Sequence, residues 1–209
     1  MDQKLYRKII ELGQLVLNFG KVNRATFHED GVTPESDTDH TVMLGIIACS
    51  YAERFAPELN RGRIAEFALI HDLVEVYAGD TATLKHMSPG DQRDKAEREH
   101  AAYERIQREF GEILPWVHEI IAAYERLDTR EARFVKTLDK SMPGITHTLN
   151  GGVVVKSFGH TSDSLRELRQ KQRQTMQSTY AHDQGPALDL WEFVVAEEEK
   201  REGAREENS

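Results

Sequence analysis

Apolar residues recur at helical spacing along almost the whole chain, and no alternating run is long enough to predict a strand of useful length. The pattern therefore predicts an all-α, single-domain helical bundle. A first helix is expected over about residues 2–19, with Leu5, Ile9, Leu12, Val16 and Phe19 along one face. An irregular segment, KVNRATFHEDGVTPES, follows it. Ser36 or Asp37 is placed to cap a second helix that runs to about Ala56, where Pro57 stops it. A third helix is expected from Arg61 to Ala78, ending at Gly79, which can take a positive φ.

After a loop over about residues 79–88, a strongly charged helix is expected from Pro89 to Gly111, its charge marking a solvated outer face. Pro115 opens another helix through about Leu127. Thr129 caps the next, which carries REARFVKTLDKSM as far as Pro143. Residues 144–162, GITHTLNGGVVVKSFGHTS, read as the least helical part, and VVVKSF offers at most a short strand that cannot be stable alone. Last helices are expected over about 163–181 and 186–200, followed by an acidic tail, REGAREENS at 201–209, expected to fray. No internal repeat or composition break divides the chain, so residues 1–200 read as one domain.

Composition narrows the functional classes. With 209 residues, 39% hydrophobic and 30% charged, the chain can bury a substantial core and is neither disordered nor fibrous. A net charge of -9 argues against a non-specific nucleic-acid binder, which would offer Lys and Arg over a broad surface. A small anionic substrate remains allowed, because it needs only a local positive site. No apolar run approaches the roughly 18 residues of a membrane span, and the N-terminus reads as charged amphipathic helix, so a cytoplasmic protein is expected. The only cysteine, Cys49, reads as a small core residue and excludes an intrachain disulfide or a thiolate metal cluster.

The informative chemistry lies in FALIHDLVEVYAGDTATL, where His71, Asp72, Glu75 and Asp80 interrupt an apolar helix. Burying ionisable groups is costly without compensation. Helical spacing lets His71, Asp72 and Glu75 border one cavity, and imidazole nitrogen with carboxylate oxygen suits Mn, Fe, Co, Ni or Zn. Two ligands rarely suffice. His40 in ESDTDHTVML and Asp139 in ARFVKTLDKSM each break an apolar face and are the natural partners, making a set for one divalent cation with positions left open for water and a phosphate oxygen. Thr81 and Thr83 follow Asp80 in the loop and are candidate substrate contacts, although threonines are common in loops. The other histidines show no ligand spacing; His147, in an irregular segment near Asp139, can line the pocket or lie on the surface. Glu125 reads as one half of a helical salt bridge.

At these residues the chain resembles the HD superfamily, whose pattern is a histidine, a His-Asp pair and a distant aspartate. ESDTDH, ALIHDLVEVYAGD and EARFVKTLDK are similar to the corresponding segments of its 5′-deoxynucleotidase group, over roughly residues 5–142. The resemblance implies an HD-domain fold, metal binding by His40, His71, Asp72 and Asp139, and catalytic roles for Glu75 and Asp80 in water attack and leaving-group protonation. It also places Arg24 where the group has a phosphate-contacting arginine, and a guanidinium fork suits phosphate. The group often carries tryptophan soon after that arginine, whereas this chain has Thr26 and Phe27.

The implied activity is hydrolysis of a (deoxy)nucleoside 5′-monophosphate, with a small nucleotide rather than nucleic acid or membrane as partner, and a homodimer as assembly. Two alternatives stay open. One is triphosphate release from a dNTP at the same site, for which Arg24, Lys21, Lys85 and Lys140 supply positive charge; the other is a non-catalytic nucleotide sensor.

Overall fold

The computed structural model describes residues 2–82 and 87–206. Thr83, Lys85 and His86 lie outside the described residues. Helix α1 (Gln3–Phe19) starts at Asp2, whose carboxylate accepts from Leu5 N. Its inward stripe is Leu5, Lys8, Leu12, Leu15 and Phe19, one step round from the expected face, and Ile9 and Val16 are exposed. The shift works because Lys8 lays its aliphatic stem inward while its ammonium sits 5.4 Å from the Phe110 ring centroid.

The segment expected to be irregular contains a hairpin. Strand β1 (Asn23–Phe27) pairs antiparallel with β2 (Pro34–Ser36), Asn23 opposite Ser36 and Phe27 opposite Pro34, with an irregular register between. Asp30 builds the turn by accepting from Val32 N at 2.9 Å and Thr33 N at 2.8 Å, with Gly31 at φ 69. Three residues of strand carry too little alternation to be read in the sequence.

Helix α2 (Asp37–Phe55) begins in a capping box, Asp39 N bonding Ser36 Oγ and Ser36 N bonding Asp39 Oδ2. It buries Leu44, Ala48 and Ala52, small enough for close approach to α3 (Arg61–Ile70), which Asn60 caps. The expected long third helix is broken. After Ile70 the chain makes a tight turn, and α4 (Glu75–Ala78) ends at Gly79, φ 75. Helix α5 (Pro89–Phe110) starts with its own capping box, Ser88 with Asp91, and packs against α4 and α6 (Trp116–Glu125). Thr129 caps α7 (Arg130–Asp139), as its sequence predicts.

The region read as least helical folds into two short helices, α8 (Met142–Asn150) and α9 (Val153–Ser157). Gly151, at φ 80, ends the first. The apolar triplet of VVVKSF is therefore helical, with Val154 and Val155 packed on Leu165. Helices α10 (Ser162–Thr179) and α11 (Gly185–Glu206) complete the chain, α11 running past the boundary expected near 200. It packs on α7 and α8 and is tied down by Tyr51, whose hydroxyl donates to Pro186 O at 2.8 Å, and by the two-pronged Arg133–Asp183 pair.

The main core joins Leu44, Ile64, Phe67, Ile106, Ile121, Phe134, Leu138 and Met142 from six helices. No described helix is long and apolar enough to cross a membrane. Phe67 sits at the centre, its ring 5.8 Å from that of Tyr124, which in turn meets the His71 ring edge-on at 6.0 Å. Phe67→Ala is expected to cost about 3–5 kcal/mol of stability. Urea unfolding tests this: an unchanged midpoint would show that the core does not depend on that ring.

Candidate metal centre

The break after α3 decides which side chains face inward. Leu73 N bonds Ile70 O at 3.0 Å and Glu75 N bonds Asp72 O at 2.8 Å, so the chain here turns with three residues per turn. The spacing expected of one continuous helix, with His71 and Glu75 on a shared face, is replaced by a turn that stacks Asp72 and Glu75. His71 enters from the end of α3, His40 from the first turn of α2, and Asp139 from the last residue of α7.

One ligand atom from each of His40, His71, Asp72 and Asp139 falls within 4.8 Å of the others. His40 Nε2 is 3.0 Å from Asp139 Oδ1 and 3.8 Å from Asp72 Oδ2. His71 Nε2 is 3.0 Å from Asp72 Oδ2 and 3.7 Å from Asp139 Oδ1. The other nitrogen of each ring is held from behind. His71 Nδ1 donates to Ala68 O at 2.9 Å, and His40 Nδ1 faces Glu35 Oε1 at 3.3 Å. This is the outer support that orients imidazole ligands on a metal. His71 Nε2 is buried and lacks hydrogen-bond geometry to any described partner, so no hydrogen bond has to break for it to turn to a cation. The donor set of two imidazoles and two carboxylates fits a divalent mid-row ion.

A second group stands beside it. Asp37, Glu75 and Asp80 gather within 4.8 Å, and the Arg24 guanidinium sits among them. Arg24 Nη1 lies 3.0 Å from Asp37, 2.9 Å from Asp72, 3.6 Å from Glu75 and 3.8 Å from Asp80. β1 carries Arg24, and the hairpin brings both it and Glu35 to the centre.

Charge crowding sets the protonation states. Burial opposes the Arg24 charge, yet Asp72, Asp80, Asp139 and Glu75 outweigh it and hold the guanidinium firmly protonated. Burial, together with Asp72, Asp37 and Asp80, pushes Glu75 up to about 10. Burial likewise raises Asp37 to about 6 and raises Asp80, with Arg24 pulling both back. Burial would lower His71, but Asp72 and Asp139 prevail and push it up to about 9. Against the cost of burial, Lys140, 2.7 Å from Asp139 Oδ2, and the two histidines hold Asp139 well below the usual carboxylate range.

These groups face a cavity of about 460 Å³ lined by Arg24, His71, Asp72, Glu75, Asp80, Thr81, Asp139 and three lysines, Lys95, Lys136 and Lys140. Thr81 thus reaches the cavity, its Oγ1 also accepting from Arg98 Nη2 at 3.3 Å. Lys21 instead donates to Asn18 and does not line this cavity. Glu125 does line it. His147, for which the sequence allows either the pocket wall or the surface, is buried within α8.

A helical fold with a histidine, a His-Asp pair and a distant aspartate converging at one point defines the HD class. The chain belongs to the HD domain family, whose model matches residues 19–181. Among its relatives, the 5′-deoxynucleotidase HDDC2 of Xenopus laevis is 32% identical over 108 residues, 51% of each chain. The 5′-deoxynucleotidase HDDC2 of Homo sapiens is 29% identical over 140 residues, 64% of each chain. The chain thus spans about half to just under two thirds of the length of these curated relatives. A solved structure of a predicted metal-dependent phosphohydrolase from Magnetospirillum magnetotacticum superposes with a TM-score of 0.68 at 24% identity, covering 92% of this chain and 95% of that one. It shares the fold.

Sequence reasoning missed Glu35, Asp37, Lys95 and Lys136. Glu35 and Asp37 flank the Ser36 cap, where acidic residues are ordinary helix-start signals, and only the hairpin turns them inward. Lys136 precedes Asp139 by three positions on α7, a spacing that points to one face. Lys95 carries no local signal within the charged α5.

Two of the raised groups, Glu75 and His71, imply a pH dependence of the metal-free fold above neutrality. Glu75, at about 10 against 4.5, and His71, at about 9 against 6.5, bind protons more tightly folded than unfolded. Stability from both is complete below their unfolded values and is lost as pH rises through the folded ones. In chelator, the melting temperature is expected to fall between pH 6.5 and pH 9. A rise over that interval would contradict the assigned charge states.

Proposed function

We propose that this chain is a metal-dependent phosphohydrolase that cleaves (deoxy)nucleoside 5′-monophosphates to nucleoside and phosphate. The observation that carries this reading is the adjacency of two groups at one cavity: the quartet His40, His71, Asp72 and Asp139, of which all but His40 line it, and the Arg24 guanidinium amid Glu75 and Asp80. The named activity of the HDDC2 relatives supports the substrate class.

The quartet holds the cation, and Glu35 and the Ala68 carbonyl fix the two rings. A divalent cation bound there supplies Lewis acidity toward a phosphoryl oxygen and lowers the pKa of a bound water. Arg24, with Lys95, Lys136 and Lys140 around the cavity, gives an otherwise acidic chain a local site for a phosphate dianion. To reach phosphate the guanidinium exchanges carboxylate partners for phosphoryl oxygens, a like-for-like swap of charge-assisted hydrogen bonds. Glu75, whose carboxyl is pushed up by burial and its acidic neighbours, delivers a proton to the departing 5′-oxygen, while Asp80 accepts one from the attacking water. Thr81 lies beside Asp80 on the cavity wall and contacts the substrate. A cavity of about 460 Å³ accommodates one nucleotide.

With Mn or Co, purified protein is expected to release inorganic phosphate from nucleoside 5′-monophosphates, and His71→Ala to lose at least about a hundredfold in rate. Arg24→Lys should lose roughly ten- to a hundredfold in kcat/KM, since hydrogen bonds between charged groups contribute about 1.5–3 kcal/mol each. No release with any metal, or equal rates for wild type and His71→Ala, would contradict the proposal; triphosphate as the released product would contradict the monophosphate substrate.

A further inference from the structure

Helix α8 carries a histidine that the proposed reaction leaves unused. His147 is 2% exposed, and its Nδ1 lies 2.9 Å from Glu198 Oε1 on α11. Glu198 Oε2 in turn accepts from Arg169 Nη2 of α10 at 2.6 Å, and both partners are buried. Arg169 and Glu198 balance each other's charge, so His147 is not needed for neutrality. A buried imidazole with no second role would be no better than an apolar side chain of its size.

The carboxylate can only accept, which assigns the proton to Nδ1 and leaves a lone pair on Nε2. That nitrogen is buried and has no hydrogen-bond partner among the described residues. His147 lines a small cavity of about 30 Å³, shared with Arg24, Thr26, Asp80 and Thr81. Arg24, Asp80 and Thr81 also line the large cavity, so the small one stands directly behind the proposed site. A buried water needs about 10–15 Å³ and two to four polar partners. The cavity has room for a water, and Arg24, Thr26, Asp80 and Thr81 along its lining carry groups that can bond one.

We propose that His147 holds one internal water in this cavity and, through it, positions Asp80. The water donates one hydrogen to His147 Nε2 and the other to the Asp80 carboxylate, and accepts from an Arg24 N–H or the Thr81 hydroxyl, so three of its four hydrogen-bonding positions are used. His147 is then a positioning residue, and the Arg169–Glu198 pair fixes its tautomer. The C-terminal helices α10 and α11 thereby support the site although they contribute none of its metal-binding residues. This role rests on the reading of Asp80 as a participant in phosphate ester hydrolysis.

Two measurements test it. A high-resolution crystal structure should show a water within hydrogen-bonding distance of His147 Nε2, and a dry cavity would overturn the proposal. In kinetics, His147→Phe fills the cavity and removes the acceptor; kcat should fall roughly tenfold while KM stays within about twofold and Mn stoichiometry is unchanged. His147→Gln, whose amide oxygen reaches the place of Nε2, should recover kcat to within about threefold of wild type. Equal losses in the two variants, or none in His147→Phe, would overturn it. A wild type that hydrolyses no phosphate ester would instead sink the proposed function, leaving the crystallographic water as the separate test of the site.

Discussion

The structure depends on balancing buried charge around Arg24. Its guanidinium lies within 4.0 Å of four carboxylates, Asp37, Asp72, Glu75 and Asp80, while Asp139 is balanced by Lys140 and the two histidines. Five acids cannot all ionise in so small and sheltered a volume without compensation. The chain answers with one guanidinium, one lysine, protons retained on Glu75 and His71, and a four-ligand gap shaped for a divalent ion. Two poles result, which the proposed function assigns to a metal and to phosphate. In the proposed reaction, the crowding that raises Glu75 also equips it to give up a proton.

Each pole is delivered by a local irregularity in an otherwise regular helical protein. The tight turn between α3 and α4 aligns Asp72 with Glu75, and the hairpin swings Arg24 and Glu35 across the start of α2. Without the Asp30 turn, Glu35 could not back His40. Behind them the large buried side chains Phe67 and Tyr124 hold the end of α3 in place, so core packing sets the direction of the His71 ring.

The helix starts were largely legible because their chemistry is local: Ser36 and Thr129 each accept from a backbone N–H in the first turn, and Pro89 opens α5. The chemistry at His40, His71, Asp72, Glu75, Asp80 and Asp139 was legible because ionisable residues interrupted apolar helical faces, and the structure brings all six to the centre. What was not legible depends on tertiary structure. The α1 stripe is set by where Phe110 lies, and the break in the third helix by hydrogen bonds to carbonyls three residues back. The hairpin pairs strands too short to alternate. The helices over 142–157 defied their Gly and β-branched content because α11 and β1 pack against them. The burial of His147 was not legible because its partner Glu198 lies far along the chain.

In the proposed function the two poles differ in kind: a cation belongs among His40, His71, Asp72 and Asp139, and a guanidinium among Asp37, Glu75 and Asp80. Anomalous diffraction from Mn-soaked crystals tests this most directly. One strong peak is expected, bounded by the two imidazoles and the Asp72 and Asp139 carboxylates, with Arg24 still seated among its acids. A peak within the Asp37, Glu75 and Asp80 group, or none at the quartet, would contradict it.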